Sequence, residues 1–252
     1  MKTSKILLIV CIIIVLGLLA FVGYGYYKKL TLKVENPIVT MEIADYGTIK
    51  IELYPDVAPN TVTNFVKLIN DGYYNGLTFH RTIPDFMIQG GDKEGTGSGK
   101  ETFCIEGEFN KNGITNDLKH ERGVISMARA DYSYYGLAKE GYNSAATQFF
   151  IVTGNDKGSS LDTSYAGFGK VIEGMEIVDK IQNLEVTYRS AELAADAEAP
   201  KDENGNTISG DKPLNPPVIT SMKVDTFGVN YGEPERKEPF DINSYFMQMY
   251  GM

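Results

Sequence analysis

From residue 39 onward almost every apolar stretch is only four to seven residues long and is closed by glycine, proline, asparagine or aspartate. Stretches of that length are strands rather than helices, and a chain that keeps making them must fold as a mainly β protein. Val39, Met41 and Ile43 alternate with Thr40 and Glu42; Asp45-Tyr46-Gly47 makes a turn; Ile49, Ile51 and Leu53 alternate with Lys50 and Glu52. This is a β-hairpin with one buried face. Further strands are predicted at Leu77–Ile83, Phe86–Gln89, Gly123–Arg129, Gln148–Val152, Phe168–Val171 and Val218–Val224. Two segments break the pattern with helical spacing. Ala58-Pro59-Asn60-Thr61 reads as a helix start, with Val62, Phe65, Val66 and Ile69 as its apolar stripe and Gly72 beyond its end. Gly174–Asn183 is the second, with Met175, Val178 and Ile181 facing inward. Short strands with two isolated helices point to a closed β-barrel with helical lids, which leaves few free edges and favours a monomer.

The chain has further parts. Residues 6–27 carry no charge, with Lys2 and Lys5 before them and Lys28 and Lys29 after. As a helix that run reaches roughly 33 Å, enough for a bilayer core, and it exceeds the apolar stretch of about 7–15 residues normal for a cleaved leader. The expectation is a signal-anchor, residues 1–29, with the remainder held outside the cytoplasm. Gly23 and Gly25 form a small-x-small pair, so the rival reading is a cleaved leader and a secreted protein. Residues 30–36 are a tether and 37–228 the folded domain. Within it, about 185–215 is acidic, alanine-rich, then rich in glycine and proline, and reads as a solvated loop. Residues 229–252 form an extension in which Ile242, Tyr245, Phe246 and Met249 recur at helical spacing behind Asp241. A short helix docked on its own domain is the plain reading, and a helix contacting a partner the sharper one.

Charge and reactive residues exclude several classes. All the charges in residues 1–30 are lysines, so the −9 of the whole chain conceals an even more acidic remainder. That argues against a nucleic-acid partner. Of the two cysteines, Cys11 lies in the N-terminal apolar run, leaving Cys104 alone in the domain; no disulfide framework is expected. His80 and His120 lack metal-ligand spacing, so no metal is expected. Gly90–Gly99 precedes Lys100, but Glu94 and Glu101 stand where a phosphate-binding loop needs Gly and Ser or Thr. No cofactor motif is present.

One block is dense and specific: Phe79-His80-Arg81-Thr82-Ile83-Pro84-Asp85-Phe86-Met87-Ile88-Gln89-Gly90-Gly91-Asp92. It resembles the signature of cyclophilins, the peptidyl-prolyl cis–trans isomerases. The likeness continues through Gly123–Arg129, Gln148–Ile151, Leu161-Asp162, Phe168–Val171 and Ile172–Met175. The resemblance implies an eight-stranded antiparallel barrel capped by two helices, a groove for X-Pro peptides, and proline-containing polypeptides as clients. It implies Arg81 and Gln89 as catalytic residues and Phe86, Met87, Phe150 and Leu161 as the proline pocket. Ala128, Arg129 and Gln148 are expected to contact the peptide, with Tyr165 nearby. The alternative is a proline-peptide-binding chaperone or scaffold with incidental catalysis. Three positions depart from the pattern. Ser160 stands where eukaryotic members have tryptophan, Tyr165 replaces a histidine as in bacterial-type members, and Arg129 replaces an asparagine. The loop from Ala130 to Gln148 is longer than usual and carries Tyr132, Tyr134, Tyr135 and Tyr142. It is expected at the groove edge.

Overall fold

The computed structural model describes residues 13–24, 35–155, 157–193, 197–201, 203, 205 and 207–251, which separate into a short N-terminal unit and a unit of residues 36–252. In the first, residues 13–24 are helical with exposed apolar side chains. Among the described residues no helix is long and apolar enough to cross a membrane. The helix expected over 6–27 is therefore seen only in its middle part; residues 6–12 and 25–27, and tether residues 30–34, lie outside the described residues.

The second unit contains one antiparallel sheet of eight strands: β1 (Ile38–Ile43), β2 (Gly47–Leu53), β3 (Phe79–Ile83), β4 (Met87–Gly90), β5 (Val124–Met127), β6 (Phe149–Val152), β7 (Gly167–Glu173) and β8 (Ile219–Asp225). Their order is β3-β4-β6-β5-β7-β2-β1-β8. β1 and β2 pair as the alternation requires, Val39 opposite Ile51 and Met41 opposite Ile49, all four fully buried. Helices α1 (Pro59–Asn70) and α2 (Met175–Gln182) lay Val62, Phe65 and Ile69, and Val178 and Ile181, into the same core. Its centre is aromatic. Phe65 meets Phe149 and Phe168 edge-on at 5.6 and 5.0 Å between centroids, the arrangement ring quadrupoles favour.

The expected closed ladder is not what the end strands make. β3 and β8 meet at a single bridge, Thr78 with Val218, held by Phe79 N to Pro217 O at 3.0 Å and Ile219 N to Leu77 O at 2.8 Å. The cause lies in the sequence before β8: Pro216 and Pro217 offer no N–H for a longer ladder. Farther along β3 the segment expected to be a solvated loop takes over. Thr82 donates to Asp211 O at 2.8 Å, and Arg189 donates to Thr82 O at 2.6 Å. The ends of this insertion pair with each other, Thr187 N to Lys212 O and Asp211 N to Tyr188 O. Asp211 is buried. Only the insertion's outer part keeps the solvated character its composition suggests.

The C-terminal extension carries the short helix that its spacing predicts. Asp241 caps helix α3 (Ile242–Tyr250) by accepting from the backbone N–H groups of Asn243 and Ser244. The helix buries no residue fully, and rests on the tyrosine-bearing loop through Tyr135 and Phe246, 5.3 Å apart.

Candidate active site

The strands β4, β6 and β5 are apolar on both faces, and the pairing explains why. Ile88, Ile151 and Ile125 sit opposite one another and face the core. The alternate residues Met87, Phe150, Val152 and Val124 form a second apolar cluster on the other face, with Leu161. Register then carries the polar residues to the same side. Arg81 on β3 is opposite Gln89 on β4, and Gln89 is opposite Phe150 on β6. A tight bend joins β3 to β4: Pro84 presets its first corner, and Asp85 takes φ +55°, a left-handed conformation aspartate tolerates. Gln182 at the end of α2 accepts from Asp85 N at 2.9 Å. Gly154 runs so close beneath the bend that a Cβ there would lie 2.0 Å from Asp85 O. The bend delivers Phe86 to the cluster.

The result is a cavity of about 190 Å³ lined by Arg81, Phe86, Met87, Gln89, Ala128, Arg129, Phe150, Leu161 and Tyr165. Nine of the ten sequence-predicted site residues thus surround one space. The tenth, Gln148, lies next door: Gln89 Nε2 donates to Gln148 Oε1 at 2.9 Å, and Gln148 Nε2 donates to Gly97 O at 3.3 Å. Gln148 helps line a larger cavity of about 560 Å³ that shares Gln89, Ala128 and Arg129 with the small one. Ser160 directly precedes Leu161 at the end of a 3₁₀ turn and does not line the small cavity.

The two arginines differ in what holds them. Arg129 donates from Nε to Ser164 O and from Nη1 to Ala130 O, both at 2.9 Å, and its guanidinium lies over the rings of Tyr165 and Tyr142. Its charge is spent on bracing the loops rather than extending the groove's charge. Arg81 makes no ion pair or side-chain hydrogen bond among the described residues, whereas Arg122 pairs with Asp179 and Arg189 is tied to Thr82 and Leu184. A guanidinium with unused donors at the rim of an apolar cavity is free to serve a ligand.

Sequence reading missed the support behind the pocket. His120 stacks on Phe150 with ring centroids 6.2 Å apart. Its Nδ1 is 3.1 Å from Asp162 Oδ1 and its Nε2 3.0 Å from Ser126 Oγ. The trio has the connectivity of a hydrolase triad, but Ser126 is fully buried, so it acts as a brace fixing Phe150 and the Leu161 loop. Burial lowers the His120 pKa although Asp162 opposes the shift. No sequence signal linked residues 120, 126 and 162. The glycine-rich segment after β4 wraps the Asp92 carboxylate, which accepts from the backbone N–H groups of Glu94, Thr96 and Gly97. Burial opposes ionisation there, yet these donors hold Asp92 below the usual carboxylate range. The ring of N–H groups that a phosphate would need is filled internally. Among the described residues no group of three or more His, Cys, Asp or Glu side chains is placed to hold a metal ion.

Comparison with known proteins agrees with this geometry. The profile of the family "Cyclophilin type peptidyl-prolyl cis-trans isomerase/CLD" matches residues 38–224. The chain belongs to the cyclophilin family. It is 41% identical over 144 residues to peptidyl-prolyl cis-trans isomerase B of Bacillus subtilis, covering 57% of this chain and 90% of that one. It is 43% identical over 149 residues to peptidyl-prolyl cis-trans isomerase-like 3 of Gallus gallus, covering 58% and 84%. Bacterial and animal members are therefore equally similar, and the bacterial type expected from Tyr165 is not singled out. Among solved structures, a cyclophilin type peptidyl-prolyl cis-trans isomerase of Cryptosporidium parvum superposes with a TM-score of 0.56 at 28% identity, covering 75% of this chain and 97% of that one. The same enzyme was also solved in the presence of the dipeptide Ala-Pro, with a TM-score of 0.54. The cyclophilin domain is that of a peptidyl-prolyl cis–trans isomerase.

Proposed function

We propose that this cyclophilin accelerates X-Pro rotation in exported or surface polypeptides, held at the membrane by residues 6–27, with Arg81 as the catalytic cation. The observation that carries the reading is the uncommitted Arg81 guanidinium, opposite Gln89, at the rim of the apolar cavity. The uncharged run between lysine pairs supports the anchor and the extracytoplasmic placement.

The chemistry asks for little more. X-Pro rotation breaks no bond; it loses amide resonance, with a barrier of about 18–20 kcal/mol. In the twisted transition state the proline nitrogen is pyramidal and carries a lone pair. An N–H of Arg81 donated to that nitrogen is gained only in the transition state, so it lowers the barrier rather than deepening binding. Phe86, Met87, Phe150 and Leu161 seat the pyrrolidine ring, and Tyr165, edge-on to Phe150 at 5.7 Å, closes a wall. Gln89, fixed by Gln148, and the strand end at Ala128 and Arg129 hold the peptide. The Ala-Pro dipeptide used with the Cryptosporidium relative fits a site of this kind.

The test is turnover of a short Ala-Pro peptide. Arg81→Ala is expected to lose roughly a hundredfold or more in kcat/KM, the scale for removing one transition-state donor. Its urea midpoint should stay at the parent's value, because Arg81 is not in the core. Parent-like turnover in this variant refutes the assignment.

A further inference from the structure

The larger cavity has a wall that the cyclophilin strands do not provide. After β8 the chain returns across the domain and is pinned at three points. Glu235 and Asn60 exchange two hydrogen bonds, of 2.7 and 3.0 Å. Arg236 lies 3.8 Å over the Phe103 ring. Lys237 pairs with Cys104 through both backbone groups, at 2.8 and 2.9 Å. Residues 239–243 then line the 560 Å³ cavity across from Gln89 and Gln148.

From that wall an unbroken series of rings leads outward. Phe240 contacts Tyr132 and Tyr245, each at 5.8 Å between centroids; Tyr245 contacts Phe246 at 5.7 Å; Phe246 contacts Tyr135 and Tyr250 at 5.3 and 6.2 Å. Tyr134, edge-on to Tyr135 at 5.3 Å, is 91% exposed and Tyr250 68%, and Met247 and Met249 of the same helix are 55% exposed each. A contiguous surface of aromatic and methionine side chains is costly to leave in water and marks a contact site. Its composition suits varied sequences, since aromatic rings bring large area and methionine adapts its shape.

We propose that the C-terminal segment 239–250 and the tyrosine-bearing loop form an accessory surface for the stretch of client polypeptide flanking the X-Pro bond, taking aromatic and large aliphatic side chains. Continuity names this occupant. A chain with its proline in the small cavity crosses the Gln89 and Ala128 saddle into the large one, and meets this surface next. The proposal rests on the isomerase reading of the site, and it makes the extension a selector of clients.

The experiment uses the full-length protein. Turnover and fluorescence-anisotropy binding are measured for a blocked Ala-Ala-Pro-Phe tetrapeptide and for longer peptides with the same core. One longer peptide carries Phe and Leu before the core, one carries them after it, and each has a Ser/Gly control. One of the two apolar extensions is expected to raise kcat/KM and tighten binding about tenfold over its control, the equivalent of roughly 1.4 kcal/mol. Met249→Ser/Tyr250→Ser, which alters only exposed side chains, and a stop after Glu238 should each remove most of that gain. Equal handling of extended and control peptides by the parent overturns the proposal, as does a gain that survives in the double variant. Loss of self-association or of vesicle binding in the double variant, with the peptide gain intact, likewise overturns it in favour of a second copy or a membrane. Absence of tetrapeptide turnover in every form refutes the isomerase reading instead, and the anisotropy arm still decides the accessory surface.

Discussion

Helix α1 starts without a cap of its own, and Glu108 supplies one from elsewhere in the chain. Ala58 at the N-cap has no side-chain oxygen, and Pro59 has no N–H. The remaining first-turn donors are the backbone N–H groups of Asn60 and Thr61, and both end on Glu108, at 3.0 and 2.7 Å. Thr61 Oγ1 adds a third bond of 2.6 Å. Glu108 and Thr61 are both buried, so water cannot replace the carboxylate. In Glu108→Ala two buried Thr61 donors lose their acceptor, at about 1–3 kcal/mol each. Removing an anion from a helix N-terminus adds roughly 0.3–1 kcal/mol. The expected loss is about 2–7 kcal/mol. With a urea m-value of about 1–3 kcal/mol/M, the midpoint should fall by on the order of 2 M with m unchanged. Glu108→Gln keeps one acceptor but turns an NH₂ toward the donors, and should cost about half as much. Equilibrium urea unfolding followed by circular dichroism measures both. Glu108 does not line the small cavity, so tetrapeptide turnover of the folded variants should match the parent. An Ala variant within about 1 kcal/mol of the parent would refute the reasoning, because the first turn would then have found other partners.

The remaining expectations concern charge and boundaries. Burial lowers the His80 pKa from 6.5 to about 4, against the pull of nearby Asp92. Unfolding therefore takes up a proton between those values, so stability is full above the unfolded pKa and falls as pH drops toward 4, by up to about 3 kcal/mol. Urea midpoints across that window should show the fall and His80→Gln should flatten it; equal slopes in both proteins would assign the effect to other groups. Arg129→Ala should lower the melting temperature by several degrees, since its guanidinium joins Ser164, Ala130 and two tyrosine rings, while Arg129→Lys recovers little because a point charge cannot bridge them. Deleting residues 1–27 should leave a soluble, monomeric, active domain; a product that sediments as aggregate in gel filtration would show that the leader is part of the fold. Protease accessibility of the domain in intact cells checks the extracytoplasmic placement.

The sequence alone determined the elements whose cause is local. Strict alternation set the β1–β2 register, because a slip of one residue would turn Val39, Met41, Ile49 and Ile51 to water. Apolar spacing and a following glycine bounded α1, and the block from Phe79 to Asp92 pointed to Arg81, Phe86, Met87 and Gln89 through its resemblance to the cyclophilin signature, residues that the structure brings around one cavity. What the sequence could not determine depends on pairs far apart in the chain. Glu108 caps a helix 47 residues earlier, and Glu235 is bonded to Asn60 across 175 residues. The uninterrupted apolar run Phe149–Val152 reads as buried, but only the sheet shows that one face meets the core and the other the pocket. The insertion's composition gives solvation, yet Asp211 and Arg189 are drawn onto β3 because that strand's edge would otherwise lack partners. Likewise Asp241 announced a helix, while its place beside the groove followed from where Cys104 and Phe103 hold the returning chain. Local periodicity fixes what a segment becomes; the backbone donors and apolar faces left over after the sheet forms decide where it goes.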